Sequence, residues 1–148
     1  MSIDLKQNNM KVDIILSDGF VMTELSGVVD VLRLANRVVD KKMFTFRYVS
    51  PEAGVVKSSA DTWLNASALS NSPDADIAVF LGNSDLNFTS REIEKAVHKY
   101  RYTNAKVVLL AEAAAIYISA NSDDGFGHTT HWENRLLLEE RSGLYDIA

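Results

Sequence analysis

Three short, mostly apolar runs constrain the fold of this chain more than any other sequence feature. They read "VDIIL" at 12–16, "DIAVFLGN" at 76–83 and "KVVLLA" at 106–111. Short runs rich in Val, Ile and Leu are typical of strands buried on both faces, as in a parallel sheet. A segment with alternating polarity, "MFTFRYVS" at 43–50, predicts a further strand.

Segments with helical periodicity separate these strands. The first helix is expected from Glu24 to about Val38, and its inner face has apolar residues at spacings of three and four: Leu25, Val28, Val29, Leu32 and Ala35. Thr89 and Glu92 form a capping-box pattern that begins a second helix, whose inner stripe is Ile93, Val97 and Tyr100. The third run leads into an Ala-rich segment at 112–120, which predicts a central helix.

The alternation of strands and helices predicts an α/β fold, a three-layer α/β/α sandwich with a mostly parallel central sheet. The segment at 55–67, "VVKSSADTWLNAS", breaks the alternation and predicts a small extended or hairpin segment with Trp63 half buried. In such sheets ligands bind at the carboxyl ends of the strands. Those ends are Ser17–Gly19, Gly82–Asn83 and Ala111–Glu112, so we expect a site there.

Composition excludes several kinds of function. A chain of 148 residues is the size of one domain, and its net charge of −5 argues against direct binding of nucleic acid. It contains no cysteine, which excludes disulfides, thiolate metal sites and thiol catalysis. The first residues, "MSIDLKQNNMK", lack the apolar core of a signal peptide, and no apolar run is long enough to span a bilayer. We therefore expect a cytoplasmic protein without a membrane partner.

Three segments in order resemble a known family. "LSDGFVMTELSGVVDVLRLANR" at 16–37, "FRYVSPEAGVVKSS" at 46–59 and "GFGHTTHW" at 125–132 resemble the ThiJ/PfpI-type domain. More narrowly, they resemble the amino-terminal domain of GlxA-like transcriptional regulators of the AraC family. The resemblance implies a class I glutamine amidotransferase-like, flavodoxin-like fold over residues 1–148. It also implies a final strand and helix that this sequence lacks, and a separate AraC-type helix-turn-helix domain.

The resemblance also implies where an active site would lie. Enzymatic relatives bring together an acid at the start of the first helix, a cysteine at a strand-to-helix elbow and a downstream histidine. These positions match Glu24, Ala111 and His131 in this chain. A methyl group offers no lone pair for covalent catalysis, and the neighbouring Glu112 carboxylate does not replace a thiolate. We expect no catalytic residues, and a degenerate site that binds a ligand through Glu24, Ala111, Glu112, His131, Gly82 and Asn83.

Two of these residues have plainer interpretations. Glu24 is also the kind of first-turn carboxylate that stabilises a helix N-terminus. His131 follows His128 at a spacing seen in metal sites, but two histidines without a third ligand are a weak signal, and a hydrogen-bonded structural histidine is the commoner case. We expect no metal and no cofactor.

The sequence therefore favours a pseudoenzyme, a non-catalytic domain of an AraC-family regulator that senses a ligand, dimerises, or does both. The resemblance implies a small, nitrogenous metabolite as effector, and DNA binding only through the separate helix-turn-helix domain. A homodimer is expected because two-fold regulators bind paired half-sites. Two alternatives remain: a non-covalent hydratase or lyase using Glu24 and His131, and a structural dimerisation module without ligand.

Overall fold

A computed structural model of the chain describes residues 9–39, 43–83 and 90–110, together with Ala113, Ala114 and Tyr117. Six strands and two helices follow one another within these ranges: β1 (Met10–Ile15), α1 (Met22–Val38), β2 (Phe44–Ser50), β3 (Gly54–Lys57), β4 (Trp63–Ala68), β5 (Ile77–Phe80), α2 (Ser90–Tyr102) and β6 (Lys106–Leu109).

The strands form one sheet in the order β3-β4-β2-β1-β5-β6. Central strand β1 pairs in parallel with β2 and β5, so that Ile14 lies opposite Tyr48 on one side and Val79 on the other. β4 and β6 extend the sheet in parallel, and only the β3–β4 pair is antiparallel. The predicted mostly parallel sheet is confirmed, and of the two forms expected for 55–67 the structure has the hairpin.

The two helices cover opposite faces of this sheet. Val12, Ile14 and Leu16 of β1 and its extension belong to the cluster beneath α1, whereas Ile15 belongs to the cluster beneath α2. Because successive side chains of a strand point to opposite faces, a strand covered on both sides is mostly apolar along its length. The exception in β1 is Asp13, which is buried with polar partners. The three-layer α/β/α sandwich is confirmed.

Both helices present the faces that the spacing predicted. Leu25 of α1 is buried, and Val28, Val29 and Leu32 pack against the same cluster. Ile93, Val97 and Tyr100 of α2 are each at most 1% exposed. Ala113, Ala114 and Tyr117 are helical and buried, as expected for a central helix. Thr89, the expected capping residue of α2, lies outside the described residues.

One prediction about the hairpin is wrong. Trp63 was expected to be half buried but is 69% exposed. Its neighbours Leu64 and Ala66 take part in the cluster beneath α1, so alternation along β4 places Trp63 on the opposite side of the hairpin. There it pairs across the strands with Lys57 rather than with the core.

A buried carboxylate ties α2 to the sheet. Asp13 of β1 is 2% exposed, and its Oδ1 and Oδ2 accept from Arg47 Nε at 2.7 Å and Nη2 at 3.2 Å. The hydroxyl of Tyr100 donates to Asp13 Oδ2 at 2.7 Å. Burial, and then the hydrogen bond to Asp13, raise the pKa of Tyr100 well above its ordinary value. The hydrogen bond to Asp13 also raises the pKa of Arg47 above its ordinary value.

Neither described helix is long and apolar enough to cross a membrane. Residues 118–148 lie outside the described part of the chain, and the expected boundary of the domain therefore stays a prediction.

Candidate functional site

The loop after β1 is held by the β3–β4 hairpin. The amide of Gly19 donates to the carbonyl of Lys57 at 2.7 Å, and the amide of Lys57 donates to Asp18 Oδ1 at 3.0 Å. Gly19 has a φ of 89°, a backbone conformation that residues other than glycine rarely adopt. Glycine at this position lets the chain turn from β1 towards α1 while Asp18 faces the hairpin.

Glu24 lies in the first turn of α1 and reaches the end of β5. The amide of Gly82 donates to Glu24 Oε1 at 2.9 Å, and the amide of Val21 donates to the carbonyl of Gly82 at 3.2 Å. A carboxylate in a first helical turn is also favoured by the helix dipole. Two of the predicted site residues, Glu24 and Gly82, are therefore in direct contact although they are 58 positions apart.

Asn83 joins the ends of β5 and β1. It is 3% exposed, and its Nδ2 donates to Ser17 Oγ at 2.7 Å and also to the carbonyl of Asp18. A buried amide with partners of this kind fixes the backbone around it. The structure thus places Asn83 behind the loop at 17–20, where it supports that loop from the inside.

The strand-to-helix junction follows β6. The amide of Leu110 donates to the carbonyl of Phe80 at 3.0 Å, and the amide of Ala113 donates to the carbonyl of Leu110 at 2.9 Å. The chain therefore passes from strand to helix within three residues, beside the strand that leads to Gly82. Ala111, Glu112 and His131 lie outside the described residues, so their meeting with Glu24 stays a prediction.

A cleft of about 340 Å³ lies at the carboxyl ends of β1 and β2. This is the edge at which ligands bind in sheets of this kind, and the volume is within the usual range for a small-molecule site. The cleft is lined by Ser17, Asp18, Ser50, Pro51, Glu52, Ala53, Val55, Val56 and Glu92. Glu24, Gly82 and Asn83 are not in its wall, but Asn83 holds two residues that are, Ser17 and Asp18.

Three carboxylates, those of Asp18, Glu52 and Glu92, give this cleft a negative character. Ser50 is 2% exposed and donates its hydroxyl to the carbonyl of Glu52, which fixes the turn after β2. A negatively charged concave surface favours a ligand that carries positive charge.

Sequence reasoning missed the contributions of β2 and α2 to this wall. β2 ends at Ser50, and Pro51 and Glu52 follow it. The rule that ligands bind at the carboxyl ends of parallel strands would have indicated these residues too, had it been applied to β2. Glu92 was interpreted only as part of a capping box, because no local signal shows that the start of α2 faces the turn after β2.

Within the described ranges, His, Asp and Glu side chains form no group of three that could hold a metal ion. His128 and His131 lie outside those ranges.

Comparison with known proteins gives structural matches alone. No protein-family model matches the chain, and no curated protein matches it in sequence. An AraC family transcriptional regulator from Pseudomonas putida is similar with a TM-score of 0.78 and 26% identity, over 94% of this chain and 76% of that one.

Two further structures share the fold at lower identity. A DJ-1 superfamily protein from Salmonella typhimurium, solved as a cysteine-to-alanine mutant, has a TM-score of 0.71 and 20% identity over 87% of this chain and 70% of its own. A ThiJ/PfpI family protein from Pseudomonas syringae has a TM-score of 0.62 and 16% identity, over 90% of this chain and 55% of its own.

Proposed function

The chain has the ThiJ/PfpI-type fold of the DJ-1 superfamily, and from this premise we propose that it is the effector-sensing domain of an AraC-family transcriptional regulator. The observation that carries the proposal is the similarity to the Pseudomonas putida regulator, which extends over 94% of this chain. DNA binding is assigned to a separate helix-turn-helix domain, and the protein is expected to act in the cytoplasm as a homodimer.

The proposed sensing is non-covalent. The sequence contains no cysteine, and alanine occupies position 111, where the resemblance expects the nucleophile. A superfamily fold without a thiol can still bind a small molecule at its strand ends, because binding needs shape and polar partners rather than a nucleophile.

The proposed binding surface is the cleft beside Ser17 and Asp18. Its three carboxylates favour an effector with a cationic nitrogen, such as an amino acid or a betaine. Asn83 holds Ser17 and Asp18, and the hydroxyl of Ser50 holds the turn at Glu52, so two parts of the cleft wall are fixed by contacts within the chain. A preformed site loses little free energy to ordering when it binds.

A thermal-shift screen over amino acids and betaines tests the proposal. An effector at a hundred times its Kd adds about 2.7 kcal/mol to the stability of the folded state. For a domain of this size, that raises the Tm by about 5–11 °C.

The screen has a matched pair of variants. Ala53→Trp fills the cleft, whereas Ala60→Trp adds the same side chain to an exposed turn outside the cleft wall. We expect Ala53→Trp to lose the Tm increase and Ala60→Trp to keep it. An equal response in both variants would contradict binding in this cleft, and a panel without any effect would favour the structural dimerisation module. Turnover of an aldehyde or amide that disappears in Glu24→Ala would instead support the hydratase or lyase.

A further inference from the structure

A second cleft, of about 530 Å³, lies beside α2 on the face of the sheet opposite to α1. Its wall contains four basic side chains of α2, those of Arg91, Lys95, His98 and Arg101. They follow one another at spacings of four, three and three residues, so they lie along one side of the helix over a length of about 15 Å. We call these four residues the basic row of α2.

The basic row concentrates positive charge in a chain whose net charge is −5. Glu94 is the one carboxylate among the residues that line this cleft. Ion pairs among the described residues include no member of the row, since they join Lys11 to Asp74, Arg47 to Asp13 and Lys57 to Asp61. Like charges one turn apart on a helix repel each other. An anionic ligand in the cleft would relieve this repulsion.

One end of the row is held in position by an aromatic ring. The guanidinium of Arg101 lies over the ring of Tyr117, with its Cζ 5.8 Å from the ring centroid. Tyr117 is buried and belongs to the core cluster beneath α2, as does Val97 in the same wall. A guanidinium stacked on an aromatic face still offers the N–H donors along its edge to a phosphate or a carboxylate. The cleft therefore combines an apolar wall with a guanidinium of fixed orientation.

We propose that this cleft is a second binding site, for a small molecule that carries two or more anionic groups, either phosphates or carboxylates. Side chains one helical turn apart begin about 5–6 Å from each other, so neighbouring members of the row can each bind a separate group of one ligand. The volume of the cleft is within the usual range for small-molecule sites. The expected charge of this ligand is opposite to that of the effector, so the inference goes beyond the proposed function and does not rest on it.

A short anion fits this surface better than a nucleic acid does. At physiological salt, exposed charges are screened beyond about 8 Å, so a small ligand in the cleft interacts mainly with the basic row. A duplex would extend past the row over the rest of a chain with a net charge of −5, and binding along a duplex needs an extended basic face. The row offers such charge along one side of a single helix only.

Titration calorimetry of the whole chain with tripolyphosphate tests the site. Arg91→Gln removes a charge from the row, and Arg33→Gln makes the same replacement at an exposed position of α1, on the opposite face of the sheet. We expect Arg91→Gln to raise the Kd of tripolyphosphate at least about tenfold, the effect of losing one hydrogen bond between charged groups. Arg33→Gln should leave the Kd within about twofold, because salt screens a distant charge.

A second variant should bind the probe more tightly, which damage to the fold does not imitate. Glu94→Gln removes the carboxylate from the cleft wall, so the repulsion between that carboxylate and the probe is lost. We expect the Kd to fall at least about threefold. Its control is Asp30→Asn, which removes an equal charge at an exposed position of α1 and should change the Kd less than about twofold.

Orthophosphate and citrate identify which anionic groups the site accepts. Orthophosphate has a single group and should bind at least about tenfold more weakly than tripolyphosphate, because it meets fewer members of the row. Citrate that binds as tightly as tripolyphosphate would assign the site to carboxylates as well as phosphates, and weaker binding of citrate would assign it to phosphates. Ala53→Trp, which fills the acidic cleft, should bind tripolyphosphate like the native chain.

Several results would overturn the inference. They are a native chain that binds neither tripolyphosphate nor citrate, equal losses in Arg91→Gln and Arg33→Gln, and a Glu94→Gln variant that binds no more tightly than the native chain. A short DNA duplex that binds more tightly than tripolyphosphate would assign the basic row to nucleic acid instead. The effector screen uses amino acids and betaines, so a failed titration with these anions leaves effector sensing intact, and a screen without hits leaves the anion site intact.

Discussion

Replacing Tyr100 with phenylalanine removes one hydroxyl from the centre of the domain and leaves the ring in place. Tyr100 is fully buried, and its hydroxyl donates to Asp13 Oδ2 at 2.7 Å. The edge-on packing of its ring against Phe80, with centroids 6.0 Å apart, does not involve the hydroxyl. The change therefore isolates one hydrogen bond to a buried carboxylate.

The expected cost follows from the charge of the acceptor. Hydrogen bonds to charged groups contribute about 1.5–3 kcal/mol, more than bonds between neutral groups. Asp13 keeps both contacts to Arg47, so the carboxylate is not left without a counter-charge. We expect Tyr100→Phe to lower the free energy of unfolding by about 1.5–3 kcal/mol.

Urea denaturation followed by circular dichroism measures this difference. Tyr102→Phe is the matched control, because Tyr102 lies two residues further along α2 and is 90% exposed. Its effect should stay within about 0.5 kcal/mol, as for most surface substitutions. A Tyr100→Phe variant as stable as the control would refute the reasoning that the buried hydroxyl holds α2 to the sheet.

A double-mutant cycle separates the hydrogen bond from any repacking. In an Asp13→Ala background the Tyr100 hydroxyl would be buried without this acceptor, and an unsatisfied buried hydroxyl costs stability. Tyr100→Phe should then be neutral or stabilising instead of destabilising. An unchanged loss in both backgrounds would show that the effect comes from packing and not from the contact with Asp13.

Two further predictions concern the same core and the neighbouring site. Burial raises the pKa of Tyr100 in the folded state, whereas an unfolded tyrosine titrates near pH 10. Above about pH 10 the unfolded chain therefore releases the Tyr100 proton while the folded chain keeps it. The contribution of Tyr100 to the free energy of unfolding is complete below about pH 10 and is lost as the pH rises above it. Urea midpoints measured on either side of that pH should fall less steeply in Tyr100→Phe than in the native chain, and equal slopes would contradict this. Asn83→Ala removes two buried hydrogen bonds to the loop at 17–20 and should cost about 1–3 kcal/mol in thermal unfolding. Asn65→Ala, at an exposed position of β4, should cost less than about 0.5 kcal/mol, and a similar loss in both would reject a supporting role for Asn83.

The candidate site was predictable in part. The rule that ligands bind at strand ends indicated Gly82 and Asn83, and the resemblance indicated Glu24; the structure brings Glu24 into contact with Gly82. The sequence did not indicate that Glu52 and Glu92 belong to the site, although their carboxylates line the cleft. Their relation to Asp18 depends on which strands are neighbours in the sheet, and no spacing along the chain contains that information.

The sequence by itself determined the elements and their inner faces. The apolar runs at β1 and β5 and the three-and-four spacing of α1 are local patterns, and they predict a strand or a helix because side-chain periodicity follows directly from backbone geometry. Tertiary structure alone decided how distant positions meet. The contact of Tyr100 with Asp13 spans 87 positions, and Trp63 is exposed because β4 turns its other face to α1. Such relations follow from strand order and from the layer that each helix covers, which are properties of the whole fold.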